Sequence, residues 1–181
     1  MAATLRTVSA HLHDLGIKHE IRGEHIAIAY TTHTYRDPEG EGRLFLAITL
    51  EEDGRYFKLF APNAFKATGP HADAFFRATA IVQWKTKLIQ FEYDPKDGEV
   101  RPIVEFPLMD AALTAEQLER CVRGIVGLLE EYGGALQAAL DTGTVAFDDG
   151  PEGEAEMGEF LGSLPPEVLA AALREAERRR N

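Results

Sequence analysis

The first residues that could do chemistry form the stretch HEIRGEH, from His19 to His25. Two imidazoles and two carboxylates this close together could bind zinc or act as general acid and base. In the helical H-E-x-x-H zinc motif the histidines are four residues apart and face the metal together. Here they are six apart with Gly23 between them, and glycine accepts the positive φ of a tight turn. The spacing therefore predicts a β-hairpin in which His25 lies across from Glu20 as an exposed cross-strand pair.

Three further sets of histidine and carboxylate side chains are candidates for catalysis or metal binding: His11 and His13 with Asp14, His33 with Tyr35 and Asp37, and His71 with Asp73. Residues two apart on a helix point in different directions, so the first two histidines do not chelate one ion. Asp73 suits the first turn of a helix, where it complements the dipole. We therefore expect no catalytic residue, no metal and no cofactor. A small enzyme or small-ligand-binding regulator that uses these groups is the alternative.

The cysteine content and the amino-terminal sequence predict the compartment in which the protein works. The only cysteine, Cys121, cannot form an internal disulfide, and it lies on an apolar helical face where a buried, inert thiol is expected. The amino terminus lacks a basic region followed by an apolar run, and no stretch of eighteen apolar residues occurs. These features predict a soluble, cytoplasmic protein that does not bind membranes.

The net charge of -11 is concentrated in one segment. Residues 141–159 carry seven acidic side chains and no basic one, whereas three consecutive arginines, residues 178–180, come just before the last residue. Phosphate contacts need clustered Lys and Arg, so direct nucleic-acid binding is not expected. An acidic surface favours basic protein partners, and we expect a client with a basic surface, such as a protein that handles nucleic acids.

Hydrophobic periodicity predicts the elements that would position these side chains. A first helix follows from Leu5, Val8, Leu12 and Leu15 and ends at Gly16. Pro102 cannot donate a backbone hydrogen bond, so it indicates a sheet edge or bulge. Strands are predicted over residues 18–22, 24–32, 43–50, 55–61, 87–93 and 99–106.

Two more helices complete the domain. The second is predicted over residues 71–85, and its aromatic side chains form either core or an exposed partner-binding surface. The third begins at Thr114, which forms a capping box with Gln117, and its apolar face continues to Leu140. The pair Gly133 and Gly134 predicts a kink or an early end.

The chain divides into three segments by composition. Residues 1–140 form an α+β domain, residues 141–159 an acidic flexible linker, and residues 160–181 a helical extension. The extension has too little apolar area to be stable alone, so it docks on its own domain, on a second copy or on a partner. It would act as a lid over a binding face, as an arm exchanged between the two copies of a dimer, or as an element that binds a partner.

The order of elements over about residues 3–140 is carried by the stretches LHDLG (12–16), HEIR (19–22), LFLAITL (44–50), YFKLF (56–60), WK (84–85), IQFEY (89–93), EVRPI (99–103) and LTAEQL (113–118). In this order and patterning the chain resembles the YbjN family, whose members share the fold of type III secretion chaperones. The resemblance implies an antiparallel sheet flanked by helices, in α-β-β-β-β-α-β-β-α order. The acidic linker and the terminal helix depart from the pattern.

The resemblance also implies a function. It indicates a bacterial, non-enzymatic protein-binding module, chaperone-like or a regulator of stress or signalling, which acts as a homodimer and binds a protein client. Symmetric pairing is the commonest arrangement of soluble homo-oligomers. We expect Phe57, Trp84 and Phe91 to line the client surface, with a place in the core as the alternative for each.

Overall fold

The computed structural model describes residues 2–147, which form a seven-stranded antiparallel sheet and three helices. This confirms the predicted α+β class. The helices are α1 (Leu5–Asp14), α2 (Ala72–Lys85) and α3 (Ala115–Thr142). The strands are β1 (His19–Arg22), β2 (His25–Thr31), β3 (Arg43–Glu51), β4 (Tyr56–Phe60), β5 (Phe65–Lys66), β6 (Gln90–Tyr93) and β7 (Glu99–Pro107), with a short 3₁₀ turn at Glu52–Gly54.

The strand β7 pairs with three strands, β4, β5 and β6, at one end of the sheet. The sheet order is β1-β2-β3-β4-β7-β5, and β6 also pairs with β7. Val100 pairs with Phe65 of β5 and with Tyr93 of β6, so these two partners lie on opposite sides of β7. Since β4 and β5 follow one another along one side, β6 occupies the other side and is an edge strand of the described region.

The core lies between one face of the sheet and the helices. Leu44, Leu46 and Ile48 alternate onto this face and are buried, whereas Phe45 on the other face is half exposed. The helix α3 packs against α1 and α2 and contacts β4 and β7. Its buried stripe is Leu118, Cys121, Val122, Ile125, Leu128, Leu129, Leu136 and Ala139. No helix among residues 2–147 combines the length and the apolar sequence that crossing a membrane requires.

The first hairpin forms as predicted, but its register differs. His25 pairs with Arg22, and Glu20 pairs with Ala27. The turn therefore contains only two residues, with Gly23 at φ 58°, and two-residue turns are the commonest hairpin connections. Glu20 instead forms an ion pair of 2.7 Å with Arg22 on its own strand.

Two features interrupt the strands around β7. The predicted strand 87–93 begins only at Gln90, because Leu88 adopts a left-handed conformation with φ 69°. Pro102 lies where the neighbour of β7 changes from β4 to β5, and its carbonyl accepts a hydrogen bond of 3.1 Å from the Ala61 N–H. A proline is tolerated at such a break because it lacks the ladder donor.

The helix α3 starts as predicted but has no early end. Thr114 and Gln117 form the capping box, with 3.1 Å between the Gln117 N–H and the Thr114 hydroxyl. The helix continues through both glycines to Thr142. A Cβ on Gly133 would lie 2.9 Å from Cδ2 of Tyr35, whereas one on Gly134 would meet nothing within 4 Å. Gly133 therefore makes room for a buried ring, and the expectation of an early end was wrong.

The predicted helical extension at 160–181 and most of the predicted acidic linker lie outside the described residues. The helix α3 includes the first two residues assigned to that linker, Asp141 and Thr142.

Candidate protein-binding site

The histidine and carboxylate sets found in the sequence contact different parts of the domain. His11 Nε2 lies 3.1 Å from the carbonyl of Leu113, and the Asp37 carboxylate accepts backbone N–H groups of its own loop and pairs with Arg43. Burial acts to raise the pKa of Asp37, but the hydrogen bond and charge of Arg43 and the backbone donors lower it below its usual range. Across residues 2–147, no three His, Cys, Asp or Glu side chains converge to hold a metal.

Tyr35 and His33 lie two residues apart in sequence but have different environments. The Tyr35 ring is buried, and its hydroxyl donates to the carbonyl of Ala64 at 2.8 Å. The backbone N–H groups of His33 and Thr34 both donate to the Glu130 carboxylate at 2.7 Å. Burial acts to raise the pKa of Glu130, but these backbone hydrogen bonds lower it to about 2. Glu130 thus attaches this loop to α3.

Ser9 and His19 form a pair that resembles a nucleophile beside its base. His19 Nδ1 lies 2.8 Å from the carbonyl of Ile17, to which it donates, and Nε2 lies 2.7 Å from the Ser9 hydroxyl. In the neutral ring Nε2 would accept from this hydroxyl. Nucleophilic catalysis also needs a substrate position and oxyanion donors. Neither side chain lines any of four cavities that the described residues form. The contacts show a link between α1 and β1.

A different kind of site lies between α2 and β6. This cavity, the α2–β6 groove, has a volume of about 380 Å³. Its aromatic lining comes from Phe76 and Trp84 of α2 and from Phe91 and Tyr93 of β6. The Phe76 and Tyr93 rings meet edge to face, with centroids 5.0 Å apart. None of the side chains that line the groove is charged, so it suits an apolar occupant.

The groove is apolar yet open to solvent. Trp84 is 89% exposed and Tyr93 is 47% exposed. Tryptophan is highly buried on average, and clustered exposed aromatic side chains are typical of interaction surfaces. The exposure of Trp84 follows from its position near the end of α2, where only one side of the helix faces α3 and β6.

The backbone of β6 adds polar groups to the rim. The Pro102 carbonyl points towards Ala61, so Phe91 and Pro102 form a non-hydrogen-bonded pair. The N–H and C=O of Phe91 therefore point away from β7, and alternation places those of Tyr93 in the same direction. Within residues 2–147 no backbone group bonds to them across this edge. An extended peptide could add there as a further strand.

The three side chains predicted for the client surface lie in two places. Trp84 and Phe91 both line the α2–β6 groove. Phe57 is fully buried, with its ring centroid 5.2 Å from that of Phe106, so it offers no surface to a partner. Phe57 lies on β4 between β3 and β7, and it alternates with Leu59 onto the buried face of the sheet.

Sequence reasoning missed the contribution of Tyr93. The alternation of Phe91 and Tyr93 in β6 places both rings on one face of the sheet, and this signal was present in QFEY. The edge position of β6 had no comparable signal, because it depends on how β4 and β5 share the other side of β7.

Comparison with known proteins supports the fold. No established family profile and no curated protein sequence matches the chain. The structure is similar to the crystal structure of YbjN, a candidate transcription regulator from E. coli, with a TM-score of 0.54 and 13% sequence identity. The similarity covers 74% of this chain and 94% of YbjN. The YbjN-like fold predicted from the sequence is therefore confirmed, and an identity this low establishes the fold alone.

Proposed function

We propose that this chain is a non-enzymatic protein-binding module, a chaperone-like or regulatory adaptor that acts as a homodimer and binds a protein client in the α2–β6 groove. The exposed indole of Trp84 is the observation that carries the proposal. Aromatic residues in apolar pockets dominate the energetics of protein interfaces, and the open edge of β6 offers main-chain hydrogen bonds beside them.

Two further observations support a role in regulation. The fold is shared with YbjN, which is described as a candidate transcription regulator. The acidic segment 141–159 suits a client with a basic surface through long-range attraction. In this proposal the groove provides the apolar contact, and the acidic segment increases the rate at which the chain and its basic client meet.

Co-purification from the native lysate tests the proposal. The tagged full-length chain is compared with Trp84→Ala, which removes the indole but keeps a good helix former. The matched control is Phe45→Thr, which removes a half-exposed ring from the opposite face of the sheet and keeps strand propensity. We expect one stoichiometric client with the wild-type chain and the control, and its loss with Trp84→Ala. Equal recovery with all three chains, or no client with any, would contradict the proposal.

Light scattering tests the homodimer separately. A dimer would have a mass of about 40 kDa, twice the 20.0 kDa of the chain. The mass of a monomer at working concentration would contradict the homodimer. The client interaction would still be decided by co-purification.

A further inference from the structure

A second cavity lies on the other side of the connection between α2 and β6. This cavity, the Leu88 cleft, has a volume of about 380 Å³ and separates that connection from α3. It is lined by Leu88, Ile89, Cys121 and Gly124 and by the cationic side chains of Lys87 and Arg120. It shares no lining residue with the α2–β6 groove.

The floor of the Leu88 cleft is apolar and uncharged. Cys121 is buried, and burial raises the pKa of its thiol to about 11 against the opposing charge of Arg120. Gly124 has no side chain, and a Cβ there would lie 3.6 Å from Cδ1 of Ile89. The absence of a side chain on α3 at this point leaves room above Ile89.

Leu88 forms an apolar rim in an unusual conformation. Its side chain is 59% exposed, and its φ of 69° is in the left-handed region. A bulky residue rarely adopts this conformation, which costs about 1–2 kcal/mol. The fold thus holds a leucine in a strained position at the mouth of a cavity instead of burying it.

The rim of the Leu88 cleft is positive although the chain is acidic. Lys87 and Arg120 have no ion-pair partner within residues 2–147, while Arg123, also in the lining, pairs with Glu119 at 2.7 Å. No acidic side chain lines the cleft. Charges are screened over ~8 Å at physiological salt, so an occupant of the cleft interacts mainly with the charges at its rim.

We propose that the Leu88 cleft binds an acidic peptide segment of a partner protein, which inserts an apolar side chain against Leu88 and Ile89 and places flanking carboxylates near Lys87 and Arg120. This second site goes beyond the proposed function. The α2–β6 groove is uncharged and shares no lining residue with the Leu88 cleft, so each site can be inactivated by substitutions that leave the other unchanged.

The openness of the cleft favours a peptide over a small molecule. Small-ligand pockets enclose ~70–90% of the ligand surface, whereas Leu88 and Arg123 at this rim are largely exposed. A peptide that crosses the cleft needs to insert only one side chain. Its flanking residues then remain in solvent near the cations.

Fluorescence anisotropy on the full-length chain tests the proposal. The probe is a labelled peptide with a central Leu-Phe pair and glutamates on both sides. We expect saturable binding that weakens with added salt, and a loss of at least ~10-fold in affinity with the double variant Lys87→Glu and Arg120→Glu. The matched control, Arg77→Glu with Lys96→Glu, makes the same change in charge at exposed positions elsewhere and should leave the affinity within ~2-fold.

Leu88→Asn tests the apolar contact without weakening the fold. Asparagine tolerates the left-handed conformation, so the melting temperature should not fall, while the affinity should drop by about 10-fold for the lost apolar contact. A peptide with glutamine in place of glutamate should also bind more weakly.

Several outcomes would overturn the proposal. These are no saturable binding, equal losses with the double variant and its matched control, or an unchanged affinity with Leu88→Asn. A change in the light-scattering mass of the chain alone on Lys87→Glu and Arg120→Glu would show an interface between copies and would also exclude a separate partner peptide.

Discussion

The helix α2 contributes to two aromatic clusters that differ in solvent exposure. The closed cluster consists of Tyr35, Phe65 and Phe75, whose rings follow one another at centroid distances of 5.9 and 5.3 Å and are almost fully buried. The open cluster consists of Phe76, Trp84, Phe91 and Tyr93, the aromatic residues of the α2–β6 groove. Phe75 and Phe76 are adjacent, so the boundary between the two clusters passes between neighbouring residues.

The difference lies in what covers each cluster. The closed cluster is sealed by α3, where Gly133 admits the Tyr35 ring, and by the hydrogen bond from the Tyr35 hydroxyl to Ala64. The open cluster lies beside an edge strand, and its largest side chain faces solvent. Aromatic residues in the first cluster therefore stabilise the fold, whereas Trp84 and Tyr93 in the second are exposed to solvent.

The largest expected effect separates Phe75 from Trp84. Phe75→Ala leaves a cavity beside Phe65 and should lower the free energy of unfolding by about 3–5 kcal/mol. Trp84→Ala should change it by no more than ~0.5 kcal/mol, because the side chain is exposed. Urea unfolding of the two variants measures the contrast, and a Trp84→Ala variant as unstable as Phe75→Ala would show that Trp84 belongs to the core.

The next effect concerns how the closed cluster is sealed. Gly133→Ala should destabilise the domain by about 1–3 kcal/mol, since the new methyl group would overlap the Tyr35 ring. Gly134→Ala is its matched control and should stabilise α3 by about 1 kcal/mol through helix propensity alone. Thermal unfolding should thus show shifts of opposite sign, and a stabilising Gly133→Ala would contradict the packing of Tyr35 against α3.

The smallest expected effect depends on pH. Because the pKa of Glu130 is lowered to about 2 in the folded chain, its contribution to stability is fully present above the ordinary pKa of about 4.3. It is lost as the pH falls from there towards 2. Glu130→Gln should therefore lower the melting temperature at pH 7, and the difference from wild type should shrink between pH 5 and pH 2. A difference that does not vary with pH would show that the ionised carboxylate is not the group that matters.

The sequence predicts much of this architecture but not the boundary between the clusters. The capping box at Thr114 is a local signal, and local signals were enough to locate the helices and most of the strands. Phe75 and Trp84 both suit the helical periodicity of α2, so periodicity alone cannot separate a buried ring from an exposed one. That difference depends on which side of α2 faces α3, which is set by contacts distant in sequence.

Two conformations also lacked a sequence signal. Leu88 adopts a left-handed φ with no glycine or asparagine to indicate it, and this residue shortens β6 and forms the rim of the Leu88 cleft. Gly133 has the same local signature as a helix-ending glycine, but its role is to make room for Tyr35. Both roles come from tertiary packing.

The fluorescence of Trp84 tests the central claim most directly, because it is the only tryptophan in the chain. The account predicts that the full-length chain alone shows the red emission of a hydrated indole, fully accessible to a soluble quencher and independent of protein concentration. Binding of the co-purified client should shift this emission to the blue and protect it from the quencher. Blue, protected emission from the chain alone would contradict an open α2–β6 groove.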